Sequence, residues 1–208
     1  MAGAKKLGPY RDNKQEYGAG KKPRLVDVGT GRYLVAPGNG APGEEVFMER
    51  MPPLYGMAYT LKFASKSAGR DYTVGKLEGI WWAEGREMQV MADIDPGDLQ
   101  WKLLMRVPDF IGEDELAAAR RQLHEKGKGA GTEQIGLEEM AEGRCVQALH
   151  VGPYDQEDAT VALMREFAAA NGLRFDGRHH EIYLSDPNRT APEKLHTILR
   201  NPVDEAGG

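Results

Sequence analysis

Two stretches decide the fold: His179-His180-Glu181-Ile182-Tyr183-Leu184-Ser185-Asp186-Pro187, and then Thr197-Ile198-Leu199-Arg200-Asn201-Pro202-Val203. In a strand, the first would place Glu181 and Tyr183 on one face and Ile182 and Leu184 on the other. The Asp-Pro-Asn sequence that follows is typical of a turn. Residues 190–193 have capping-box spacing and predict one helical turn before a second strand at residues 196–200. The sequence thus predicts a strand pair with a carboxylate and a phenol on one face.

Composition excludes several classes of protein. The 208 residues are 40% hydrophobic and 28% charged, as in ordinary globular proteins. The net charge of -5 argues against a nucleic-acid surface, and no apolar run is long enough to cross a bilayer. The single cysteine, Cys145, excludes an intrachain disulfide, and the N-terminus lacks the apolar segment of a secretion signal. We therefore expect a cytoplasmic protein without nucleic-acid or membrane partners; its oligomeric state stays open.

Composition along the chain divides it into segments. Residues 1–23 are polar and rich in lysine, and we expect a basic, flexible tail. Residues 24–203 form the predicted domain, in which residues 24–110 and 143–203 are two units. Residues 111–142 are predicted to join them by a surface helix and a Gly-rich linker, and residues 204–208 to form a frayed tail. Within the first unit, Pro52-Pro53 interrupts a helical pattern and predicts a break or kink.

An internal repeat supports the two units. Gly31-Arg32-Tyr33-Leu34 resembles Gly143-Arg144-Cys145-Val146 at the head of each unit, and Leu103-Leu104-Met105-Arg106-Val107-Pro108 resembles Thr197-Ile198-Leu199-Arg200-Asn201-Pro202 at the foot. We therefore predict a single α+β domain of two strand-helix-strand-strand units about a pseudo-twofold axis. A central groove between the units would be lined by Trp81 or Trp82, Tyr33, Glu181 and Tyr183.

Several longer phrases carry a resemblance to a known family. They are Ala58-Tyr59-Thr60-Leu61-Lys62, Leu77-Glu78-Gly79-Ile80-Trp81-Trp82, Leu149-His150-Val151-Gly152-Pro153-Tyr154, and the first stretch quoted above with Thr190-Ala191-Pro192-Glu193-Lys194-Leu195. With these phrases the chain resembles the GyrI-like small-molecule-binding family, and especially its stand-alone members. The resemblance implies a cleft with an aromatic cage and a carboxylate at its base, which takes flat, hydrophobic and often cationic compounds. A subfamily to which the chain is similar, the cyclopropanoid cyclopropyl hydrolases, opens the cyclopropane ring of DNA-alkylating natural products.

Within that resemblance, Glu181 and Tyr183 are the candidate catalytic residues. A carboxylate in an aromatic pocket is poorly solvated and seeks a cation or a proton, or it can position water for attack. Tyr183 can donate a hydrogen bond to an oxygen that gains charge when a ring opens. The alternatives are a surface glutamate and a core tyrosine.

Six aromatic residues are candidates for the cage. Trp81 and Trp82 are adjacent and face opposite ways on a strand, so only one of them can face the groove, and the sequence does not say which. The others, each of which could be packing alone, are Tyr33, Tyr59, Trp101 and Tyr154.

No metal or cofactor is expected. His179 and His180 face opposite ways and cannot share an ion, and the sequence contains no phosphate loop, nucleotide fingerprint or serine-hydrolase elbow. Two other functions remain open: sequestration of the drug without turnover, and third, binding to gyrase through an outer surface.

Overall fold

An antiparallel sheet dominates the computed structural model, which describes residues 6–84 and 94–206. Its strands are β1 (Arg24–Val28), β2 (Gly31–Asn39), β3 (Glu78–Ala83), β4 (Leu99–Val107), β5 (Gly136–Met140), β6 (Gly143–Val151), β7 (Leu173–Phe175), β8 (His179–Tyr183) and β9 (His196–Glu205). The helices are α1 (Pro9–Asp12), α2 (Lys14–Tyr17), α3 (Glu45–Ser67), α4 (Glu113–Glu125) and α5 (Glu157–Ala170). The predicted α+β class is confirmed, and so is the predicted strand pair, β8 and β9.

The strand order places the repeated elements of the two predicted units side by side, except that β1, which the sequence assigned to the first unit, pairs with β6 of the second. It runs β1-β6-β9-β8-β3-β4-β2-β5, with β7 attached to β9. One half contains β2, α3, β3 and β4; the other contains β6, α5, β8 and β9, with β7 between α5 and β8. The halves meet where β3 pairs with β8 and Gly79 lies opposite Glu181. A pseudo-twofold relation between the halves stays a prediction.

Each half of the sheet is covered by one long helix on the same face. Helix α3 packs Leu54 and Met57 into a cluster that contains Trp81. Helix α5 packs Val161 and Met164 into a second cluster that contains Leu199. We call this side of the sheet the helix face and the other the arm face. The register of β3, β8 and β9 puts Gly79, Trp81, Glu181 and Leu199 on the helix face, because paired residues share a face.

The expected flexible tail is wrong for the part of residues 1–23 that the structure describes. Tyr17 is buried and donates a hydrogen bond to Glu78 Oε1 at 3.1 Å, and Glu16 pairs with Arg106. Leu7 forms a β-bridge with Tyr72. The polar composition of this segment predicts a tail, but two of its tyrosines and a glutamate have partners in the sheet. We call residues 6–20 the arm. They cover the second face of the sheet, which is therefore named the arm face.

The predicted break at Pro52-Pro53 is also wrong, because α3 runs through both prolines without interruption. Proline removes the donor to the carbonyl four residues earlier, which here belongs to Met48 and Glu49. Both of these residues are exposed, so water can satisfy the two free carbonyls. The buried stripe of Pro53, Leu54 and Met57 then holds the helix against the sheet.

Two connecting segments are more ordered than predicted. The linker between the units contains the expected surface helix, α4, but its Gly-rich part ends in β5, which pairs with β2. The C-terminal tail begins later than expected, because β9 continues to Glu205 and pairs Asp204 and Glu205 with β7. Among residues 6–84 and 94–206, none of the helices combines the length and the apolar character that crossing a membrane requires.

Candidate functional site

Glu181 and Tyr183 lie together on the helix face, as predicted. Both are on β8, two residues apart, and Tyr183 Oη donates a hydrogen bond to Glu181 Oε2 at 2.7 Å. Glu181 is only 4% exposed. Burial, and then the Glu181 carboxylate, raise the pKa of Tyr183 well above its usual value, so the phenol keeps its proton. The pair is therefore a buried carboxylate with a neutral hydroxyl donor beside it.

Trp81 is the tryptophan that lies beside this pair. Its strand neighbour in β8 is His179, and its indole is almost fully buried. Gly79 makes room for the meeting of the two strands: a Cβ on residue 79 would lie 2.9 Å from both Trp81 Nε1 and Tyr183 Oη. The Trp81 indole lies close enough to the Tyr183 hydroxyl to lower its pKa, against the larger effects of burial and Glu181. An indole donor and a phenol thus converge over one glycine.

A second buried carboxylate, Glu157, lies beside Glu181. It is the first residue of α5 and is 7% exposed. Single ligand atoms of Glu157, His179 and Glu181 all lie within 4.8 Å of one another. His179 Nε2 is 3.5 Å from Glu181 Oε1, while its Nδ1 is 2.9 Å from Asn201 Oδ1. We call Trp81, Glu157, His179, Glu181 and Tyr183 the central cluster.

The two carboxylates of the central cluster lack a permanent cation. Across residues 6–84 and 94–206, no lysine or arginine forms an ion pair with either, and Glu157 Oε1 has no hydrogen-bond partner. Burial, and then the charge of Glu181, raise the pKa of Glu157 far above that of an ordinary glutamate. Two like charges this close in a poorly solvated place favour a state in which one of them is neutralised.

An aromatic residue from another element contacts the central cluster, and further tyrosines lie on α3. Tyr154, just before α5, is 40% exposed and meets the Tyr183 ring edge-on at 5.7 Å between centroids. Tyr59 on α3 is 49% exposed and stacks with Phe63 of the same helix at 6.4 Å between centroids. Tyr55, one helical turn before Tyr59, was not predicted as a site residue. Burial, Tyr59 and Asp186 raise its pKa, which places this part of α3 beside the loop between β8 and β9.

Three predicted cage residues do not belong to this arrangement. Tyr33 lies on the arm face. It pairs with Arg106, whereas the neighbouring pair of Leu34 and Met105 faces the helices. Trp82 also lies on the arm face, where the Arg178 guanidinium sits 3.8 Å above its ring centroid. Trp101 shares the helix face with Trp81 but is completely buried beneath Phe47. The register excludes Tyr33 from a groove with Glu181 and decides the open choice between Trp81 and Trp82 in favour of Trp81, whereas Trp101 is excluded by its complete burial.

The arm face carries its own charged side chains, but these are paired. Arg200 donates to Glu142 Oε2 at 2.7 Å, and His180 contacts Glu142 Oε1 and Glu78 Oε2 at 3.0 Å each. Burial opposes these charges, yet Glu142 and Glu78 raise the pKa of His180 to about 9. Against the same burial, His180 and Arg200 lower the pKa of Glu142 to about 2. We call Glu78, Glu142, His180 and Arg200, with the arm pair Glu16–Arg106, the buried charge network.

The three ligand atoms of Glu157, His179 and Glu181 are close enough for a metal ion to bridge them, although the sequence predicts no metal. We assign no metal to them, because Glu181 Oε2 is held by Tyr183 and His179 Nε2 faces Glu181 Oε1.

A depression between α3 and α4 is lined mainly by alanine and aliphatic atoms with the exposed Arg70–Glu115 pair. The central cluster is therefore the better candidate for chemistry.

Glu157 is the functional candidate that sequence reasoning missed. The local sequence indicates only an acidic residue near the start of a helix, where its charge suits the positive end. Its spacing held a second signal, because Glu157, Val161, Met164 and Ala168 form one buried stripe with helical period. That stripe puts a carboxylate on the side of α5 that faces the sheet. Asn201 gives no comparable signal, because its role depends on the pairing of β8 with β9.

Gly79→Ala is expected to destabilise the protein by about 1–3 kcal/mol, because the added methyl group would overlap the buried Trp81 indole and the Tyr183 hydroxyl. Urea unfolding measures the change. Gly136→Ala is the matched control, since it is also a strand glycine but has no atom within 4 Å of the added Cβ. Equal stability of the two variants would show that β3 and β8 leave more room at residue 79 than the structure gives them.

Comparison with known proteins adds to this geometry. Residues 109–204 match the GyrI-like small molecule binding domain. The fold is similar to that of an uncharacterized conserved protein from Listeria innocua, with 36% sequence identity, a TM-score of 0.88, and coverage of 96% of this chain and 100% of that one. It is also similar to a protein from Listeria innocua described as a hydrolase, with 35% identity, a TM-score of 0.85 and the same coverage.

A more distant similarity concerns the fold alone. The C-terminal domain of EcmrR is 13% identical, with a TM-score of 0.56 and coverage of 88% of this chain and 98% of that domain. No curated protein matches the chain.

Proposed function

Because this chain belongs to the GyrI-like small-molecule-binding family, we propose that the central cluster binds planar hydrophobic compounds, preferably cations, and hydrolyses those that carry a strained cyclopropane ring. The observation that carries the proposal is Glu181, a carboxylate that is 4% exposed and has only Tyr183 and His179 as polar side-chain partners among the described residues. A buried carboxylate without a strong cation gains from a ligand that supplies one.

The aromatic residues around Glu181 suit a flat ligand. In the proposed arrangement, a central groove lies over β3 and β8 between α3 and α5. Trp81 and Tyr183 form its floor, and Tyr154 and Tyr59 its rim. A cation over an aromatic ring gains roughly 0.5–2 kcal/mol, depending on desolvation. Uncharged and cationic planar dyes would both bind by ring contacts, and the cationic dyes would gain further from the Glu181 carboxylate.

The reaction needs few groups because a cyclopropane conjugated to a carbonyl is already strained. Water adds its oxygen to a ring carbon while one ring C–C bond breaks, and the electron pair moves to the carbonyl oxygen. Glu181 takes a proton from the water, and Tyr183 donates one to the carbonyl oxygen. The 2.7 Å hydrogen bond between Tyr183 Oη and Glu181 Oε2 then lets the phenol recover its proton. The sum is the addition of one water molecule.

The hydrolase from Listeria innocua, similar over nearly the whole chain, supports turnover as part of the proposal. Sequestration would use the same residues without the chemical step. Binding to gyrase stays a third possibility that no feature of the described surface favours.

Glu181→Gln is expected to weaken the binding of planar cationic dyes by about 10- to 100-fold, because a hydrogen bond or contact to a charged group contributes about 1.5–3 kcal/mol. The affinity for uncharged planar dyes should stay the same, since glutamine keeps the shape of the site. Quenching of tryptophan fluorescence measures both affinities. The quenching should persist in Trp82→Phe, because Trp82 lies on the arm face.

The control for this measurement is Glu166→Gln, which removes a carboxylate from the exposed side of α5. Cation binding that is equally tight in the wild type, Glu181→Gln and Glu166→Gln would exclude Glu181 from the site. Failure of all planar compounds to bind would refute the proposed function as a whole.

A further inference from the structure

Glu157 is the buried group that the proposed reaction does not use. It faces Glu181 across the boundary between α5 and β8, and both carboxylates are more than nine-tenths buried. Among the described residues, no group completes a hydrogen bond to Glu157 Oε1, and the Thr197 hydroxyl on β9 lies close enough to Glu157 to lower its pKa against the larger effects of burial and Glu181. A carboxylate with a free, buried oxygen next to a second carboxylate is costly unless a positive charge or a proton lies between them.

The other groups that face the pair cannot supply a permanent charge. On β8, Tyr183 is a neutral donor and His179 lies 3.5 Å from Glu181. The neighbouring elements contribute acids, phenols and a hydroxyl: Tyr154 before α5, Asp158 on α5, Asp186 after β8 and Thr197 on β9. His150 on β6 is paired with Thr197, and its ring nitrogens contact Thr160 and the Pro153 carbonyl. Apart from His150 and His179, the surroundings of the pair add negative charge rather than remove it.

We propose that Glu157 determines the charge specificity of the site: the Glu157–Glu181 pair holds one proton, a cationic ligand releases this proton when it binds, and a neutral ligand leaves it in place. The inference rests on the proposed function, because it needs the ligand to lie against Glu181. The bond that breaks is the O–H bond of the shared proton, which leaves to water. The ligand's positive charge replaces it, so that the charge of the site is balanced before and after binding.

The sign of the pH dependence follows from this exchange. Burial and the Glu181 charge raise the pKa of Glu157, so the pair keeps its proton at neutral pH. Raising the pH makes the proton easier to remove, and cation affinity rises about tenfold per pH unit while one proton is released. Neutral ligands show no such rise, because the proton stays. Above the pH at which the pair loses its proton without ligand, the cation affinity becomes constant.

The test uses two probes with the same tricyclic ring: the N-methylacridinium cation and neutral N-methylacridone. Titration calorimetry of the full chain, in buffers with different ionisation enthalpies between pH 6 and 8, gives the protons released per ligand. The wild type should release close to one proton for the cation and none for the neutral ring. Glu157→Gln, which imitates the protonated acid, should release none for either and bind the cation with constant affinity. The surface variant Glu166→Gln should behave like the wild type.

Several results would overturn the inference while leaving the proposed function intact. One is cation binding by the wild type without proton release. Another is proton release that survives in Glu157→Gln but disappears in His179→Gln, which would put the proton on the imidazole. A third is a stoichiometric divalent metal in the purified wild type that is lost in Glu157→Gln, found by elemental analysis.

A measurement without ligand keeps the two proposals separable. The infrared difference between the wild type and Glu157→Gln at pH 7 should contain the carbonyl band of a protonated carboxylic acid. If both acridines fail to bind but the band is present, the proposed function fails and the shared proton stands. If the band is absent, Glu157 is ionised and the inference is wrong, whatever binds.

Discussion

Arg200→Met is expected to destabilise the protein by about 3–5 kcal/mol, the usual effect of removing one partner from a buried ion pair. The arginine is fully buried on β9 and holds three segments together. It donates to Glu142 Oε2 at 2.7 Å, to Gln147 Oε1 at 3.1 Å and to the Glu16 carbonyl at 2.5 Å. Methionine fills much of the volume but satisfies none of these acceptors. Urea unfolding at pH 7 measures the loss.

The size of this effect follows from the charge balance of the network. With His180 protonated, as its raised pKa of about 9 indicates at pH 7, the network contains three cations and three carboxylates. Without Arg200, one carboxylate charge stays buried in excess. Adding Glu142→Gln removes that excess, so the double variant should lose less stability than the sum of the two single variants.

Arg189→Met is the matched control for Arg200. Its guanidinium pairs with Asp186, but 87% of the side chain is exposed, and such pairs contribute about 0–1 kcal/mol. A loss of stability in Arg200→Met no larger than in Arg189→Met would contradict the view that the network holds the arm to the sheet.

Local patterns predicted the strands of this fold well. The alternation of residues 181–184 placed Glu181 and Tyr183 on one face, and their hydrogen bond confirms it. Turn residues correctly separated β8 from β9. Both signals act within a few residues, where strand geometry and turn chemistry decide the structure.

The predictions that needed long-range contacts fared less well. Tyr33 and Trp101 were assigned to one cage, but their faces depend on how β2 pairs with β4, and a shift of one residue in register reverses every side chain. The arm was read as a tail because Tyr17 has no local partner; its partner, Glu78, is 61 residues away. Glu157 was missed for the same reason, since only the packing of α5 on the sheet brings it to Glu181.

The site itself combines both kinds of information. Trp81 and Trp82 were equivalent in sequence, and the pairing of β3 with β8 decides that Trp81 shares the face of Glu181. Gly79 lies directly opposite Glu181 in that pairing, and the Trp81 indole and the Tyr183 hydroxyl occupy the space that a side chain at residue 79 would need. The proposed reaction requires substrate and water to reach both Glu181 and Tyr183.

Tyr183→Phe is expected to lower the turnover of a cyclopropane-bearing alkylator by roughly 10²–10³-fold, since loss of one donor to a developing oxyanion costs about 2.7–4 kcal/mol. Glu181→Gln should be similarly slow, because the water then lacks its base. Mass spectrometry of the ring-opened product, with protein below one equivalent of drug, measures the rate. Tyr10→Phe is the control: its hydroxyl contacts Glu78 on the arm face and should leave the rate unchanged. Product that stops at one equivalent would mean sequestration, and full turnover by both site variants would mean that other groups perform the chemistry.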